Sequence, residues 1–242
     1  MVSEPTVGSV PTEVFSARPR SRYRILAVSD KVEPRIYGPN LAMVAANIDF
    51  VVACGDLPYY YLEYIISVLD RPLYYVHGNH DRPEHRQDSS LVTEPPGGIN
   101  LHRRVRLLDG LLIAGLQGSH RYNQNPHYQY TQTEMRTRVI GMMPELLLNR
   151  IRYGRALDLL VTHSPPFGIT TPGIARTLAF KPFIPCCAGF GHATCCTAIS
   201  TSTAIRRGPP PGSATPRSST FIPFASWSWT LPLPRRRQLD GR

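Results

Sequence analysis

Residues 73–81 read Leu-Tyr-Tyr-Val-His-Gly-Asn-His-Asp, and this stretch decides the fold. Its apolar beginning, rich in Tyr and Val, is typical of a buried β-strand. The strand pattern stops at Gly78, and the residues that follow, Asn79, His80 and Asp81, can bind a metal ion or transfer protons. In an open α/β sheet, ligands bind at the carboxyl ends of the strands. The stretch therefore predicts a strand that carries a functional site at its C-terminal end.

Three further apolar runs end in the same way, at Asp30, at Gly55-Asp56 and at His163. Taken one at a time, each polar residue has an ordinary structural explanation. An Asp can cap a helix, a Gly-Asn pair can form a tight turn, and a His can hydrogen-bond within a loop. Caps and turns have no reason to gather at four strand ends, so the four positions together predict one site.

These strand ends resemble the sequence motifs of the calcineurin-like metallophosphoesterase family. The family motifs are Asp-x-His, Gly-Asp, Gly-Asn-His-(Asp/Glu), a later His, and Gly-His-x-His. Gly55-Asp56, the stretch 78–81 and His163 match three of them. The first motif keeps Asp30 but continues with Lys31-Val32, and no Gly-His-x-His occurs downstream. The resemblance extends from residue 24 to about residue 167.

The resemblance implies a fold class and a metal centre. The expected fold is α/β, a metallophosphoesterase-like β-sandwich flanked by helices, with its C-terminal part lost or disordered. Family members use two divalent ions such as Mn, Fe or Zn, which neutralise phosphoryl oxygens and activate water. By resemblance, Asp56 bridges the two ions, Asp30 belongs to one of them, and Asn79 and His163 belong to the other.

The resemblance also implies two catalytic residues. His80 is expected beside the leaving group, as a general acid or as a residue that orients the phosphate. Asp81 is expected to fix the tautomer of His80. His77 is interpreted as a structural residue, because the family motif does not include it.

The implied activity is metal-dependent hydrolysis of a phosphoester of unknown identity. Because two motifs are damaged, we expect at most one tightly bound ion and feeble turnover in this chain. The alternative is a non-catalytic pseudoenzyme or binding module that keeps the fold and has lost the site.

The chain divides into three parts. Residues 1–22 mix Pro, Ser, Thr and Glu without periodicity and are expected to be a flexible leader. Residues 23–168 form the predicted domain, which includes a helix over 59–70, a hairpin over 105–115 and a helix over 134–153. Residues 169–242 are an aberrant tail rich in Pro and Arg, for which no regular structure is expected.

The tail has an unusual charge and a possible genetic origin. Up to residue 168 the chain carries 18 Lys and Arg against 16 Asp and Glu, whereas the tail carries 9 against 1. Residues 194–201 read Thr-Cys-Cys-Thr-Ala-Ile-Ser-Thr. Codons for these residues, read one base earlier, permit Leu-Leu-His-Gly-His-Ile-His, which contains the missing motif. We therefore interpret the tail as the product of a frameshift.

Composition restricts the location and the partners of the chain. No apolar run is long enough to cross a bilayer, and no secretory signal is recognised near the N-terminus. Only Cys54 precedes the tail, which is ordinary for a reducing compartment, so a cytoplasmic location is expected. The excess of basic over acidic residues falls in the tail, which we interpret as a frameshift product, so neither a membrane nor a nucleic acid is expected as a partner.

Overall fold

A computed structural model of the protein describes residues 22–122, 124, 127–164, 194–197 and 226–230. Arg22 and the last two segments are described by their backbone alone. The helices are Leu41–Val44 (α1), Tyr59–Leu69 (α2) and Gln132–Tyr153 (α3). The strands are Arg22–Val28 (β1), Phe50–Ala53 (β2), Leu73–Tyr75 (β3), Glu84–His85 (β4), Leu91–Val92 (β5), Gly98–Asn100 (β6), Val105–Leu108 (β7), Leu111–Leu116 (β8), Ser119–His120 (β9), Gln129–Tyr130 (β10), Leu159–Thr162 (β11), Thr194–Thr197 (β12) and Ser226–Thr230 (β13).

Two sheets form the centre of the described structure. The larger sheet has the strand order β13-β1-β2-β3-β6, in which β1, β2, β3 and β6 are parallel and β13 runs antiparallel to β1. The smaller sheet has the order β12-β11-β8-β7, in which only β7 is antiparallel to its neighbour. The predicted hairpin over residues 105–115 is confirmed as the β7–β8 pair.

The alternation of side chains along the strands creates three apolar layers. Phe50 and Val52 of β2 point toward the second sheet, where they pack in one cluster with Ile113 of β8 and Val161 of β11. Val51 and the other residues of β2 that face the opposite way pack against α1 and α2. The outer face of the smaller sheet packs against α3 in the same manner. Strands buried on both faces read as continuous apolar runs, which is why these runs are conspicuous in the sequence.

The layer order is therefore helix, sheet, sheet, helix, and the predicted fold class is confirmed. The long helix α3 begins slightly earlier than expected, because a capping box fixes its first turn. Thr131 Oγ1 accepts a hydrogen bond from the backbone N–H of Glu134, and the Glu134 carboxylate accepts one from the backbone N–H of Thr131. Gly154, with φ of 72°, ends the helix in a left-handed conformation.

The expectation that regular structure is absent after residue 168 is wrong for two segments. β12 pairs parallel with β11, and β13 pairs antiparallel with β1, with Tyr23 opposite Trp229. Edge pairing is made by backbone hydrogen bonds, so it does not need the apolar face whose absence led to the prediction. The remainder of the tail and residues 1–21 of the predicted leader lie outside the described residues, whereas Arg22, which was assigned to the leader, begins β1.

The helices in the described part of the chain differ from membrane-spanning helices. None of them is both long and apolar enough to cross a membrane.

Candidate metal centre

The ends of the parallel strands bring the predicted site residues to one edge of the sandwich. Asp30 follows β1 and Asp56 follows β2, and the backbone N–H of Asp30 donates to the carbonyl of Gly55 at 3.1 Å. From the second sheet, His163 follows β11 and reaches across to the first, where its Nδ1 lies 2.8 Å from the carbonyl oxygen of Cys54. Both sheets therefore contribute predicted site residues to the same edge of the sandwich.

The turns after β1 and β2 have an uncommon backbone conformation. Asp30 has φ of 61° and Asp56 has φ of 57°, in the left-handed region. Asp tolerates this region better than most residues, because its short side chain can hydrogen-bond locally. Such conformations cost free energy and are concentrated at functional sites. Both aspartates that the sequence assigns to metal binding have this conformation.

Two glycines allow the loops after β2 and β3 to approach each other. A Cβ atom added to Gly78 would overlap the carboxylate of Asp56, and one added to Gly55 would overlap the backbone of Gly78. Glycine is therefore required at both positions for the observed packing. The close approach places Asp56 beside the residues that follow β3, with the backbone N–H of His80 donating to Asp56 Oδ1 at 2.8 Å.

Asp56, Asn79 and His163 form the centre of the site. His163 Nε2 lies 3.1 Å from Asn79 Oδ1 and 3.5 Å from Asp56 Oδ2. Because the carbonyl oxygen of Cys54 can only accept, the Nδ1 of His163 carries the proton in that contact. In a neutral imidazole, Nε2 is then an acceptor that faces two acceptor oxygens. Such a group is stable only with a cation or a proton between its members, and its donor types suit a divalent metal ion.

Asp30 supplies a second indication of cation binding. Its Oδ2 atom is buried and has no hydrogen-bond partner in the described structure. A buried carboxylate oxygen without a partner carries a desolvation cost that a bound cation would offset. The donor types of the four predicted ligands therefore suit a metal ion, but Asp30, Asp56 and His163 do not form one metal-binding group in the described structure.

The donor set is nevertheless smaller than the family motifs specify. Within the described residues, no group of three or more His, Cys, Asp and Glu side chains is arranged to hold a metal ion. Binding therefore depends on the amide oxygen of Asn79 as a third donor beside Asp56 and His163. Val32, which stands where the first family motif has His, packs against the apolar cluster beneath α1 and α2 and provides no ligand.

The electrostatic environment of Asp56 is dominated by burial. Burial raises the pKa of Asp56 above its ordinary value, while His163 and the backbone N–H of His80 act in the opposite direction. A carboxylate that is costly to ionise when no cation is near is stabilised in its charged form by a metal ion.

The two predicted catalytic residues lie in different environments. His80 is exposed beside Asp56, at the mouth of the site. Asp81 is buried and accepts hydrogen bonds from the backbone N–H of Gly78 at 2.8 Å and of Leu57 at 3.2 Å. In the described structure it joins the β2 and β3 loops, which differs from the expected role of fixing the tautomer of His80.

Aromatic side chains that the sequence motifs did not identify lie beside the site. His77, which is buried, stacks on Tyr128 with ring centroids 4.5 Å apart, in keeping with its interpretation as structural. The hydroxyl of Tyr122 accepts a hydrogen bond from Asn79 Nδ2 at 2.8 Å. Both tyrosines come from segment 117–132, which is polar and rich in aromatic residues.

The chain is similar to solved structures and to a protein-family model. A solved structure that is 11% identical covers 76% of this chain and 87% of its own, with a TM-score of 0.47. No curated protein sequence matches the chain. The family model described as calcineurin-like phosphoesterase matches residues 19–191, which is more than half of the chain and includes every predicted site residue. The chain therefore belongs to the calcineurin-like phosphoesterase family.

Proposed function

We propose that the protein is a metal-dependent phosphoester hydrolase with reduced turnover. The observation that carries the proposal is the convergence of three groups that can coordinate a cation, Asp56 Oδ2, Asn79 Oδ1 and Nε2 of His163. A divalent cation at this point could be coordinated by all three groups, whose donor types suit such an ion. Membership of the family supports phosphoester hydrolysis as the associated chemistry.

Asp30, Asp56, Asn79 and His163 are the residues that would hold the metal. A bound divalent ion supplies positive charge to the phosphoryl oxygens and lowers the pKa of a coordinated water. Asp56 is held in position by the backbone N–H of His80, and His163 is held by the carbonyl of Cys54. These contacts fix the donors before substrate arrives, which is how a site contributes to orientation.

His80 has the position of a proton donor. Its imidazole is exposed while its backbone is anchored to Asp56, so the ring can reach a substrate bound over the centre. We propose that it donates a proton to the leaving-group oxygen, since imidazole is the side chain that most often acts as a general acid in enzymes. The substrate is a phosphoester whose leaving group the site does not define.

The reduced turnover follows from the missing ligands. Val32 lies in an apolar cluster, and the described group contains fewer than three carboxylate, imidazole or thiolate ligands in binding geometry. We therefore propose one tightly held ion in place of two. A single ion cannot stabilise the attacking and the leaving oxygen in the manner of a two-metal site. We also propose, on the sequence alone, that the protein acts in the cytoplasm.

The same observations favour a second candidate, a binding module that retains the fold without catalysis. Such a protein would bind a divalent ion through Asp56, Asn79 and His163 and would not hydrolyse esters. Metal binding without turnover separates this candidate from the first.

Hydrolysis of an aryl phosphate diester in the presence of Mn²⁺ tests the proposal. We expect slow hydrolysis that depends on the metal and falls by at least about a hundredfold in Asp56→Ala and in Asn79→Ala, since each substitution removes a donor. Asp88→Ala and Asn40→Ala are matched controls, because these residues are exposed and lie outside the site. Equal rates in all four variants, with unchanged circular dichroism spectra, would reject the proposal.

A further inference from the structure

The hydroxyl group of Tyr122 contacts the one predicted metal ligand that has two chemically different ends. Asn79 is only 6% exposed, and its amide points Oδ1 toward His163 and Nδ2 toward Tyr122. The distance from Asn79 Nδ2 to the Tyr122 hydroxyl oxygen is 2.8 Å, that of a good hydrogen bond. The tyrosine therefore satisfies the donor end of the amide while the acceptor end faces the centre.

The amide of Asn79 has two orientations of nearly the same shape, related by half a turn. In the observed orientation, Asn79 Oδ1 faces His163 Nε2 at a distance of 3.1 Å. In the reversed orientation, Nδ2 would face Nε2 and donate a hydrogen bond to its lone pair. The reversed amide would occupy the imidazole nitrogen and withdraw the oxygen, so metal binding would first require the amide to turn back.

We propose that Tyr122 is a positioning residue that holds the amide of Asn79 in the orientation suited to metal binding. This inference rests on the proposed function, because it concerns the same centre. Tyr122 gives the NH₂ group an acceptor on the side away from His163. Without that acceptor, turning toward Nε2 would give the NH₂ group a partner, and a buried N–H donor is seldom left unpaired.

Hydrogen bonds within the protein hold in place the loop that carries Tyr122. The backbone N–H of Tyr122 donates to the side chain of Gln129 at 3.2 Å. On either side, the backbone N–H of Ser119 donates to the Tyr128 carbonyl and that of Arg121 to the Tyr130 carbonyl, each at 3.0 Å. These bonds pair the two sides of the loop, so the hydroxyl is delivered to Asn79 by a fixed backbone.

Because Tyr122 is largely exposed, its positioning role can be tested without disturbing the packing of the core. The residue is 57% exposed, so its ring adds little to folding, and removal of one hydroxyl group leaves its packing intact. Tyr122→Phe therefore changes one hydrogen bond at the centre. We expect this loss to weaken Mn²⁺ binding roughly tenfold, the effect of about one buried hydrogen bond.

Calorimetric titration of the metal-free protein with Mn²⁺ tests the inference without any measurement of activity. Tyr60→Phe is the matched control, because Tyr60 is 51% exposed and is not part of the centre. We expect the dissociation constant to rise roughly tenfold in Tyr122→Phe and to stay within about twofold of the wild type in Tyr60→Phe.

A second pair of variants tests whether the effect of Tyr122→Phe depends on the NH₂ group of Asn79. In the Asn79→Asp background the side chain has no NH₂ end to satisfy, so adding Tyr122→Phe should weaken Mn²⁺ binding less than about threefold. An effect as large as in the wild-type background would show that Tyr122 acts by another route and would overturn the inference.

The outcomes for Tyr122 and for the proposed function are distinguishable. Equal Mn²⁺ affinity in the wild type and Tyr122→Phe overturns the inference and leaves the hydrolase proposal standing. Mn²⁺ binding that weakens as expected, in a wild-type protein that hydrolyses no ester, overturns the hydrolase proposal and supports the inference. A wild-type protein that binds no Mn²⁺ overturns both.

Discussion

Single residues determine how closely the loops of the centre approach each other. Gly78 lies against Asp56, where a Cβ atom would overlap the carboxylate, although Gly78 is not among the residues with positive φ. The requirement for glycine is therefore one of space. We expect Gly78→Ala to lower the free energy of unfolding by about 2 to 3 kcal/mol, because the rigid loop must move to accept the methyl group.

The same substitution at Gly141 provides the control for Gly78→Ala. Gly141 lies within α3, and the nearest atom to an added Cβ would be Arg103 Nη2 at 3.2 Å, the end of a flexible side chain. Alanine favours the helix over glycine, so Gly141→Ala should raise the free energy of unfolding by about 0.5 kcal/mol. Urea unfolding of both variants measures the two changes. Equal effects would contradict the steric explanation.

His102 makes the stability of the protein sensitive to acid. Burial, assisted by Arg138 and Arg103, lowers the pKa of His102 from its ordinary 6.5 to about 3. Its Nδ1 accepts a hydrogen bond from the backbone N–H of Gln117 at 3.2 Å, which requires the neutral ring. Because the folded pKa is lower than the unfolded one, the stabilisation is complete above pH 6.5 and is lost as the pH falls toward 3.

His102→Gln tests this pH dependence, because glutamine can accept the same hydrogen bond and does not titrate. At pH 5, protonation of His102 in the unfolded chain should cost the wild type about 2 kcal/mol relative to pH 7.5. We expect the difference between urea unfolding free energies at the two pH values to shrink by about that amount in the variant. An unchanged difference would assign the acid sensitivity to other groups.

At the scale of elements, the sequence predicted those strands whose burial on both faces produces a continuous apolar run. The apolar runs that end at Ala53 and Thr162 are buried on both sides, so they were conspicuous as strands. β13 was missed although its Ser-Trp-Ser-Trp-Thr sequence has the alternation of a strand. Its partner, β1, is distant in sequence, and antiparallel edge pairing through the backbone leaves no signature in either segment alone.

The β1–β13 pairing bears directly on the origin of the tail. Strand pairing of residues 226–230 with the larger sheet counts against the frameshift interpretation, which predicted no regular structure there. We expect amide hydrogen exchange over Ser226–Thr230 to be at least about tenfold slower than in an unstructured peptide. Ser228→Pro, opposite Arg24, should abolish this protection, because proline lacks a backbone donor and cannot adopt every strand geometry.

Exchange at the rate of an unstructured peptide in the unaltered chain would show that β13 does not form. The frameshift interpretation would then stand, and resequencing of the gene around codons 168 to 172 would examine it at its source.

At the scale of the whole molecule, the sandwich assembles a centre from residues more than a hundred positions apart. Asp56 and His163 belong to different sheets, and the contact of His163 with the Cys54 carbonyl joins them. The sequence motifs could predict which residues meet at the centre, because each motif lies at the C-terminal end of a strand. They could not predict that Asp81 joins two loops or that Tyr122 contacts Asn79, because those contacts depend on loop paths that no periodic pattern specifies.

The number of metal ions that the protein binds tests the central claim most directly. Equilibrium dialysis against Mn²⁺, followed by elemental analysis, should find one tightly bound ion per chain in the wild type, because Asp56, Asn79 and His163 provide one set of converging donors. Asp56→Ala should bind none, while the exposed-site control Asp88→Ala should bind as the wild type does. Binding of two ions, or of one ion that Asp56→Ala retains, would contradict the account.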